Sequence, residues 1–302
     1  MTRPLRIAAL ALALAITSND GKAAKPLELI DAFALEFASN PQISPDGKQV
    51  VYTRNSMDIM TDRVRGRLWT IDSDGSNHRP LLDDSIVASG ATWSPDGKRL
   101  AYSRSGESGK QLIVRWVDSG QTARVAQLER SPGSITWSPD GRQLAFSMFV
   151  SAPAKPFATV PSAPQGATWA KPARVFDQVR YRADGKGYLG PGFTHIFIVA
   201  AEGGRPRQLT SGDYNHSGRL AFTPDSSRII FSATRRPDWQ LQTRRSDLYA
   251  VALADGTITM LTDRQGPDHA PAVSPDGKWV AYLGYRDTGK SYQIDKLTVG
   301  PL

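Results

Sequence analysis

One eight-residue segment has the residue types and spacing of a phosphate-binding loop. Residues 284–291 read Gly-Tyr-Arg-Asp-Thr-Gly-Lys-Ser and match the pattern GxxxxGK[ST]. That chemistry needs a strand before the loop and a helix after it, because amides at the helix N-terminus cradle the phosphate. Here residues 292–297 alternate like a strand instead. We therefore interpret the segment as a loop between two strands and predict no nucleotide or other cofactor site.

Nucleophilic hydrolysis requires a serine on a sharp G-x-S-x-G turn between a strand and a helix. No such pentapeptide occurs in the chain. The segment at 106–110, Gly-Glu-Ser-Gly-Lys, comes closest but lacks the final glycine. The sequence therefore offers no catalytic residue, and we expect the chain to be inactive as a hydrolase by itself.

Metal chemistry is also not indicated. His78, His195, His216 and His269 are far apart in the sequence, and none forms a ligand pair of the His-x-x-x-His kind. Residues 72–75, Asp-Ser-Asp-Gly, look faintly like a calcium loop but lack the later ligands and the bidentate glutamate. We interpret them as a turn between strands and predict no metal site.

The net charge of +8 comes from scattered lysines and arginines with no basic run. A nucleic-acid groove would need basic residues clustered among stacking aromatics, so we expect no nucleic-acid partner. There is no cysteine, so neither a disulfide framework nor a lipid-attached cysteine is available.

Residues 1–24 have the pattern of a secretory signal peptide. Arg3 and Arg6 precede an apolar run at 7–16, and small residues follow at 21–24. The apolar run is too short to span a bilayer. The alternative is a buried N-terminal helix. The signal-peptide interpretation predicts a periplasmic or secreted protein with no membrane span after signal removal.

The elements that would position any site are set by a repeat. Five times an apolar residue leads into a turn built on Pro-Asp, and a short apolar run ending in an aromatic residue follows. Proline fixes φ at the first central turn position, aspartate bonds its own backbone, and glycine accepts a positive φ. The turns are Ser44-Pro45-Asp46-Gly47, Ser94-Pro95-Asp96-Gly97, Ser138-Pro139-Asp140-Gly141, Thr223-Pro224-Asp225-Ser226 and Ser274-Pro275-Asp276-Gly277.

A repeat of roughly 40–50 residues with this content is typical of a β-propeller blade. We predict an all-β propeller over residues 25–302, with four antiparallel strands in each blade. About five blades are present, and the fifth lacks its fourth strand. Either the chain curls into a five-bladed ring, or it is the front part of a larger propeller.

An insertion at residues 148–194 separates the second and third strands of blade three. It contains Pro153, Pro156, Pro161, Pro164 and Pro172, followed by an apolar and aromatic stretch at 175–181. An insertion of this length is usually functional or disordered. We favour an ordered excursion over the propeller face.

Tryptophans fall into two groups. We expect Trp69, Trp93, Trp116 and Trp137, which lie inside strands, to belong to the core. Trp239 lies in a basic loop at 235–245 of blade four, where it would either line the central funnel or pack on the solvent side.

The Ser-Pro-Asp-Gly turn followed by an apolar-apolar-aromatic strand resembles the propeller repeat shared by TolB and the prolyl oligopeptidase family of serine peptidases. The family includes dipeptidyl-peptidase and acylaminoacyl-peptidase types, and the resemblance covers about residues 30–300. The turn alone does not separate the two groups. TolB proteins place an α/β domain before the propeller, for which we see no room here. The long insertion of blade three also favours a secreted bacterial peptidase.

The resemblance implies a non-catalytic propeller that gates access of a peptide substrate and docks a C-terminal α/β-hydrolase domain. The catalytic serine, aspartate and histidine would lie in that domain and have no counterpart in this chain. Asp238 and Trp239 are followed by Gln240 rather than by the paired glutamates that dipeptidyl peptidase IV uses to hold a substrate amino terminus. Aminopeptidase specificity is therefore not implied. The alternative is a stand-alone periplasmic binding propeller of the TolB type.

Overall fold

The computed structural model describes residues 26–302 except 84, 107–108, 154–157, 159–160 and 171–172. The predicted signal peptide at 1–24 lies outside the described residues. The described chain opens with a 3-10 helix, Leu29–Ala34, closed at its start by a capping box between Glu28 and Asp31. Across the described ranges, no helix combines the length and apolar character needed to cross a membrane.

Within the described residues, twenty-one strands form five antiparallel sheets, which are the blades, and one small hairpin. Blade one contains β1 Glu36–Ile43, β2 Gln49–Asp58, β3 Arg63–Asp72 and β4 Arg79–Pro80, and blade two contains β5 Ala88–Trp93, β6 Arg99–Gly106, β7 Gly109–Trp116 and β8 Thr122–Leu128. Blade three contains β9 Gly133–Trp137, β10 Gln143–Ser151, β13 Gly192–Ala200 and β14 Arg207–Gln208, and the hairpin β11 Arg182–Ala183 and β12 Gly187–Tyr188 lies between β10 and β13. Blade four contains β15 His216–Phe222, β16 Arg228–Ala233, β17 Asp247–Ala252 and β18 Ile258–Met260, and blade five contains β19 Asp268–Val273, β20 Trp279–Gly284 and β21 Lys296–Pro301.

The repeated turn joins the first and second strands of every blade by the same hydrogen bonds. In blade two, Ser94 Oγ donates to Asp96 Oδ1 over 2.5 Å, and that carboxylate also accepts from the Lys98 amide at 3.0 Å. Gly97 holds a φ of +69°, as the turn requires. The first strand therefore reverses at a fixed register, which aligns the apolar faces of successive blades.

Neighbouring blades bury their facing side chains as four successive cores. Val51 and Leu68 of blade one pack with Leu100 and Tyr102 of blade two. Equivalent clusters join blade two to three, three to four and four to five. The Trp137 side chain lies in the second cluster and is 6% exposed.

Trp116 departs from expectation. We predicted a core residue, and the structure shows it 37% exposed. It is the last residue of β7 and its amide donates to the Gln121 carbonyl at the turn into β8. Its position at the strand end, past the buried Ile113 and Val114, removes it from the interface between the blades.

The outward faces of the first and last blades keep large apolar side chains in solvent. Ile43 of blade one is 68% exposed, and Leu297 and Val299 of blade five are 71% and 59% exposed. Opposite them on β20, Leu283 pairs with Leu297 and Ala281 with Val299, so these side chains share one face. These two faces therefore stay partly uncovered, whereas the side chains between neighbouring blades are buried.

The all-β propeller class, the four-stranded antiparallel blades and the incomplete fifth blade are confirmed. The strand expected from the alternation at 292–297 begins later than predicted, because β21 is Lys296–Pro301. Gln293 instead bonds within the loop, donating from Nε2 to Asp287 Oδ1 at 2.7 Å.

Candidate functional site

The candidate site lies at the end of the blades opposite the repeated turns. In an antiparallel blade the loop between the second and third strands emerges at that end. There the blade-three insertion meets the blade-four loop around a cleft of about 500 Å³. The cleft is lined by Val179, Arg180, Tyr181, Arg182, Asn215, Thr234, Trp239, Gln240, Gln242, Thr243 and Arg245.

The insertion and blade three each contact the blade-four loop at this cleft. The Val179 amide donates a hydrogen bond to Gln240 Oε1 over 2.8 Å. Phe193, the second residue of β13, packs edge-on against Trp239 with ring centroids 5.8 Å apart. Trp239 therefore packs where the chain returns from the insertion to blade three. The loop at 235–245 forms one wall of the cleft.

The insertion has a small aromatic cluster of its own. Phe176 packs on Tyr181 and Tyr188, with ring centroids 5.0 and 5.2 Å apart. The Arg174 guanidinium lies 4.6 Å from the Tyr188 ring centroid, and that of Arg182 lies 6.0 Å from it. Aromatic and cation–π contacts of this kind stabilise the described part of the insertion locally.

A charged network lies beneath the cleft. Asp247, the first residue of β17, is fully buried and accepts from Arg236 Nε at 3.2 Å. Arg245 donates from Nη2 to Asp263 at 2.7 Å and places its Nε 3.8 Å from Asp247. Burial raises the pKa of Asp247, while the hydrogen bond and charge of Arg236 oppose that rise. The network fixes Arg245 at the cleft floor and offsets much of its charge.

Two histidines that are distant in the sequence meet beside this network. The ring centroids of His195 and His216 lie 5.3 Å apart, although the spacing of the histidines in the sequence indicates no pair. Strand β13 of blade three faces β15 of blade four, which brings them together. Sequence spacing carries no signal for such a contact between blades.

His216 is held neutral by its surroundings. Its Nδ1 lies 3.2 Å from the Thr194 carbonyl and its Nε2 lies 2.6 Å from Arg235 Nη1. A guanidinium only donates, so Nε2 accepts and Nδ1 carries the proton. Burial, and secondarily the charge of Arg235, lowers the pKa of His216 to about 4. Both ring nitrogens are occupied, and within the described chain no cluster of three or more His, Cys, Asp or Glu residues suits a metal ion.

The other segments singled out by sequence belong to turns and loops. Residues 284–291 begin at the last residue of β20 and continue as a loop towards β21, without a helix. Residues 72–75 form the turn between β3 and β4, where the Gly75 amide donates to the Asp72 carbonyl at 2.9 Å. Residues 107–108, which include the serine of the 106–110 segment, lie outside the described residues.

A larger cleft of about 830 Å³ opens between the turns of blades one and two. Its acidic lining includes Asp46 and Asp96, whose carboxylates accept hydrogen bonds from Ser44 and Ser94 in their own turns. The hydrogen bond from Ser44 lowers the pKa of the Asp46 carboxyl. The acids serve the turn architecture, and we place the candidate site at the opposite end.

Comparisons with known proteins agree with this fold. Residues 168–290, which contain all the lining residues of the cleft, match the family described as the dipeptidyl peptidase IV N-terminal region. The chain is 27% identical over 267 residues to dipeptidyl-peptidase 5 of Porphyromonas endodontalis, covering 84% of this chain and 38% of that protein. It is 24% identical over 284 residues to dipeptidyl-peptidase 5 of Porphyromonas gingivalis, covering 89% of this chain and 40% of that one.

Solved structures show the same architecture. Acylaminoacyl peptidase of Pyrococcus horikoshii superposes with a TM-score of 0.64 at 18% identity, covering 89% of this chain and 38% of that one. TolB of Acinetobacter baumannii superposes with a TM-score of 0.50 at 15% identity, covering 86% of this chain and 65% of that one. The chain is a β-propeller of the class found in peptidases and in TolB. The resemblance to the N-terminal propeller of the prolyl oligopeptidase-family peptidases is confirmed, and the chain spans about two fifths of the length of the dipeptidyl-peptidases it matches.

Proposed function

We propose that this chain is the non-catalytic propeller portion of a secreted serine peptidase of the prolyl oligopeptidase family. In that role it limits the access of peptides and docks a C-terminal α/β-hydrolase domain. The observation that carries the proposal is the match of most of this chain to about two fifths of two dipeptidyl-peptidases, together with a family model named for an N-terminal region.

The surface of the insertion supports a docking role. Val175, Phe176, Val179, Tyr181 and Tyr188 are between 41% and 62% exposed and lie within one short stretch of chain. Contiguous apolar surface of this kind on a folded domain usually marks an interaction site. A hydrolase domain seated at this end of the blades would cover these side chains and enclose the cleft.

The gating role is tested by shortening the insertion in the longer product of the gene. The variant replaces residues 152–191 with a tight turn between β10 and β13, which pair in register to Ser151 and Gly192. We expect the ratio of kcat/KM for long peptides to kcat/KM for dipeptide substrates to rise by about tenfold or more, because a barrier to large substrates is removed. The matched control shortens the blade-five loop at 285–295 and should leave the ratio unchanged.

An unchanged ratio in a variant that still cleaves dipeptides would contradict the gating role.

Docking is measured separately, by analytical ultracentrifugation of the chain mixed with the remaining polypeptide of the same gene. We expect a one-to-one complex, and loss of that complex when Phe176 and Tyr188 are both replaced by serine. Separate sedimentation of the two parts would contradict docking.

The alternative function is a stand-alone binding propeller of the TolB type, which uses one face to hold a protein partner. The fold likeness to the Acinetobacter baumannii protein is compatible with it. The DNA downstream of codon 302 separates the two functions. A continuing frame that encodes further blades and a G-x-S-x-G elbow selects the peptidase, whereas a stop codon with genes for an envelope complex alongside favours the binding module.

A further inference from the structure

The polar lining of the cleft between the insertion and the blade-four loop is dominated by hydrogen-bond donors. Three arginines line it, and none of its described lining residues carries a carboxylate. Arg245 already pairs with Asp263 and approaches Asp247. Arg180 and Arg182 belong to the insertion, and no ion pair to either is found within the described residues. These two guanidiniums therefore give the cleft its net positive charge.

The neutral side chains of the cleft add further donors. Gln240 uses its Oε1 to accept from Val179, and Asn215 uses its Oδ1 to accept from the Thr194 amide at 2.9 Å. Within the described part of the chain, the amide nitrogens of both side chains have no hydrogen-bond partner. Each can donate two hydrogen bonds into the cleft. A ligand that binds in the cleft would therefore supply hydrogen-bond acceptors to these amide nitrogens.

The walls beside these donors are aromatic. Trp239 forms one wall and Tyr181, which is 47% exposed, lies on the other side of the same cleft. Aromatic walls bind a large apolar side chain without fixing its identity. Arginine forks bind carboxylates with paired hydrogen bonds, which gives both strength and geometry.

We propose that this cleft binds peptides that carry a carboxylate next to an aromatic or large apolar side chain. The carboxylate bonds Arg180 and Arg182, and the neighbouring side chain packs against Trp239 and Tyr181. A protonated amino terminus is disfavoured here, because the lining offers it no carboxylate. That the ligand is a peptide rests on the proposed function. That it carries a negative charge rests on the arginines of the cleft itself.

Calorimetric titration of the 302-residue chain and of the longer gene product tests the inference without reference to turnover. The probes are acetyl-Phe-Glu-amide and its neutral isostere acetyl-Phe-Gln-amide. We expect the Glu peptide to bind about tenfold more tightly, as a charge-assisted contact to two arginines provides. Added salt should reduce the difference, because the cleft is open to solvent.

The double variant R180Q/R182Q should bring the two affinities together, while the wild-type far-ultraviolet circular dichroism spectrum is retained. The matched control is R205Q, which removes an exposed arginine from the turn before β14 at the other end of blade three. It should keep the full preference for the Glu peptide. Equal affinities in the wild type, or a preference that survives in R180Q/R182Q, would overturn the inference.

The outcome is separable from the proposed function. A longer product that cleaves peptides but shows no preference for the Glu peptide refutes the anionic cleft and leaves the peptidase assignment standing. A chain that binds the Glu peptide selectively but has no hydrolase partner refutes the peptidase assignment and leaves the cleft standing.

Discussion

The backbone amide of Val179 donates to the side-chain oxygen of Gln240 across 2.8 Å, and this bond ties the insertion of blade three to the loop of blade four. The two residues are 61 positions apart in the chain. Their contact closes one side of the cleft and places the arginines of the insertion beside Trp239.

Replacing Gln240 with alanine should loosen the insertion. The Val179 amide loses its acceptor, and one hydrogen bond of this kind contributes about 1 kcal/mol, so local opening should become about fivefold more frequent. Hydrogen exchange measured by mass spectrometry over residues 173–190 should speed up accordingly. Gln242→Ala is the matched control, because Gln242 bonds Asp238 within its own loop at 2.7 Å. Equal exchange in the two variants would show that the contact does not hold the insertion.

Asp247→Asn should destabilise the chain by about 3 kcal/mol, because it leaves Arg236 and Arg245 without their buried counter-charge. The Asp247 side chain is fully buried, whereas that of Asp263, which contacts the same two arginines, is 58% exposed. Asp263→Asn is therefore the control and should cost less than about 1 kcal/mol. Urea denaturation measures the free energy of unfolding of both variants. Similar losses would mean that burial of the aspartate does not decide how much its ion pairs contribute to stability.

The pH dependence of stability should carry the signature of His216. Its pKa is about 4 in the folded chain and 6.5 as an ordinary histidine, so the unfolded chain takes up the proton first as pH falls. The stabilisation is complete above pH 6.5 and is lost progressively as pH falls toward 4. Between pH 7 and pH 5 this costs about 2 kcal/mol.

His216→Gln should remove that part of the pH dependence, so that the variant loses about 2 kcal/mol less than the wild type over the same interval. Ile230→Val serves as the control. Ile230 is fully buried in the interface between blades four and five, and its truncation should lower stability equally at both pH values. A pH slope that is the same in His216→Gln and wild type would contradict the neutral, buried histidine.

The degenerate turn of blade four offers a stabilising substitution. Ser226 holds a φ of +58° where the other four turns have glycine. A left-handed conformation strains a residue with a Cβ, so Ser226→Gly should stabilise the chain by about 0.5–1 kcal/mol. The loss of the Ser226 Oγ contact to the Asp140 amide, at 3.3 Å, reduces the gain.

Replacing glycine with a residue that has a Cβ, at the equivalent position of blade five, should destabilise the chain. Gly277 has a φ of +71°, and a Cβ there would lie 3.5 Å from Pro224 of the neighbouring blade. We expect Gly277→Ala to cost about 1 kcal/mol by thermal denaturation. A Ser226→Gly variant that loses as much stability as Gly277→Ala would show that turn conformation is not what limits blade four.

The outward faces of the terminal blades predict self-association of the chain. Leu297 and Val299 are exposed apolar residues of β21, the edge strand of the described blade-five sheet, which favours pairing with a second molecule. Leu297→Lys with Val299→Lys should raise the monomer fraction in sedimentation velocity. Leu241→Lys, at a residue 72% exposed in the blade-four loop, should not. A monomeric wild-type chain with a sharp cooperative melt would instead support a closed five-bladed ring.

The fold was largely predictable because each blade is specified locally. Proline, aspartate and glycine set the reversal after the first strand, and the apolar run after it must face a neighbour. The third strand of blade five was misplaced because the apolar alternation begins at Tyr292 and Ile294, which are exposed loop residues. Alternation alone does not show where pairing to β20 begins.

The site was much less predictable. The contact of His195 with His216 depends on how blade three packs against blade four, and the bond from Val179 to Gln240 depends on how the insertion folds back. Neither leaves a local pattern in the sequence. The basic character of the loop around Trp239 was visible, but Arg180 and Arg182 on the opposite wall were not associated with it.

The most direct test of the central claim is labelling with a serine-directed fluorophosphonate probe. The longer product of the gene and the 302-residue chain are treated side by side, and turnover of dipeptidyl chromogenic substrates is measured on the same samples. We predict one labelled serine and measurable turnover in the longer product, and neither in the 302-residue chain. Labelling and turnover in the 302-residue chain, or their absence from a longer product that is folded, would contradict the assignment of this chain as the propeller of a serine peptidase.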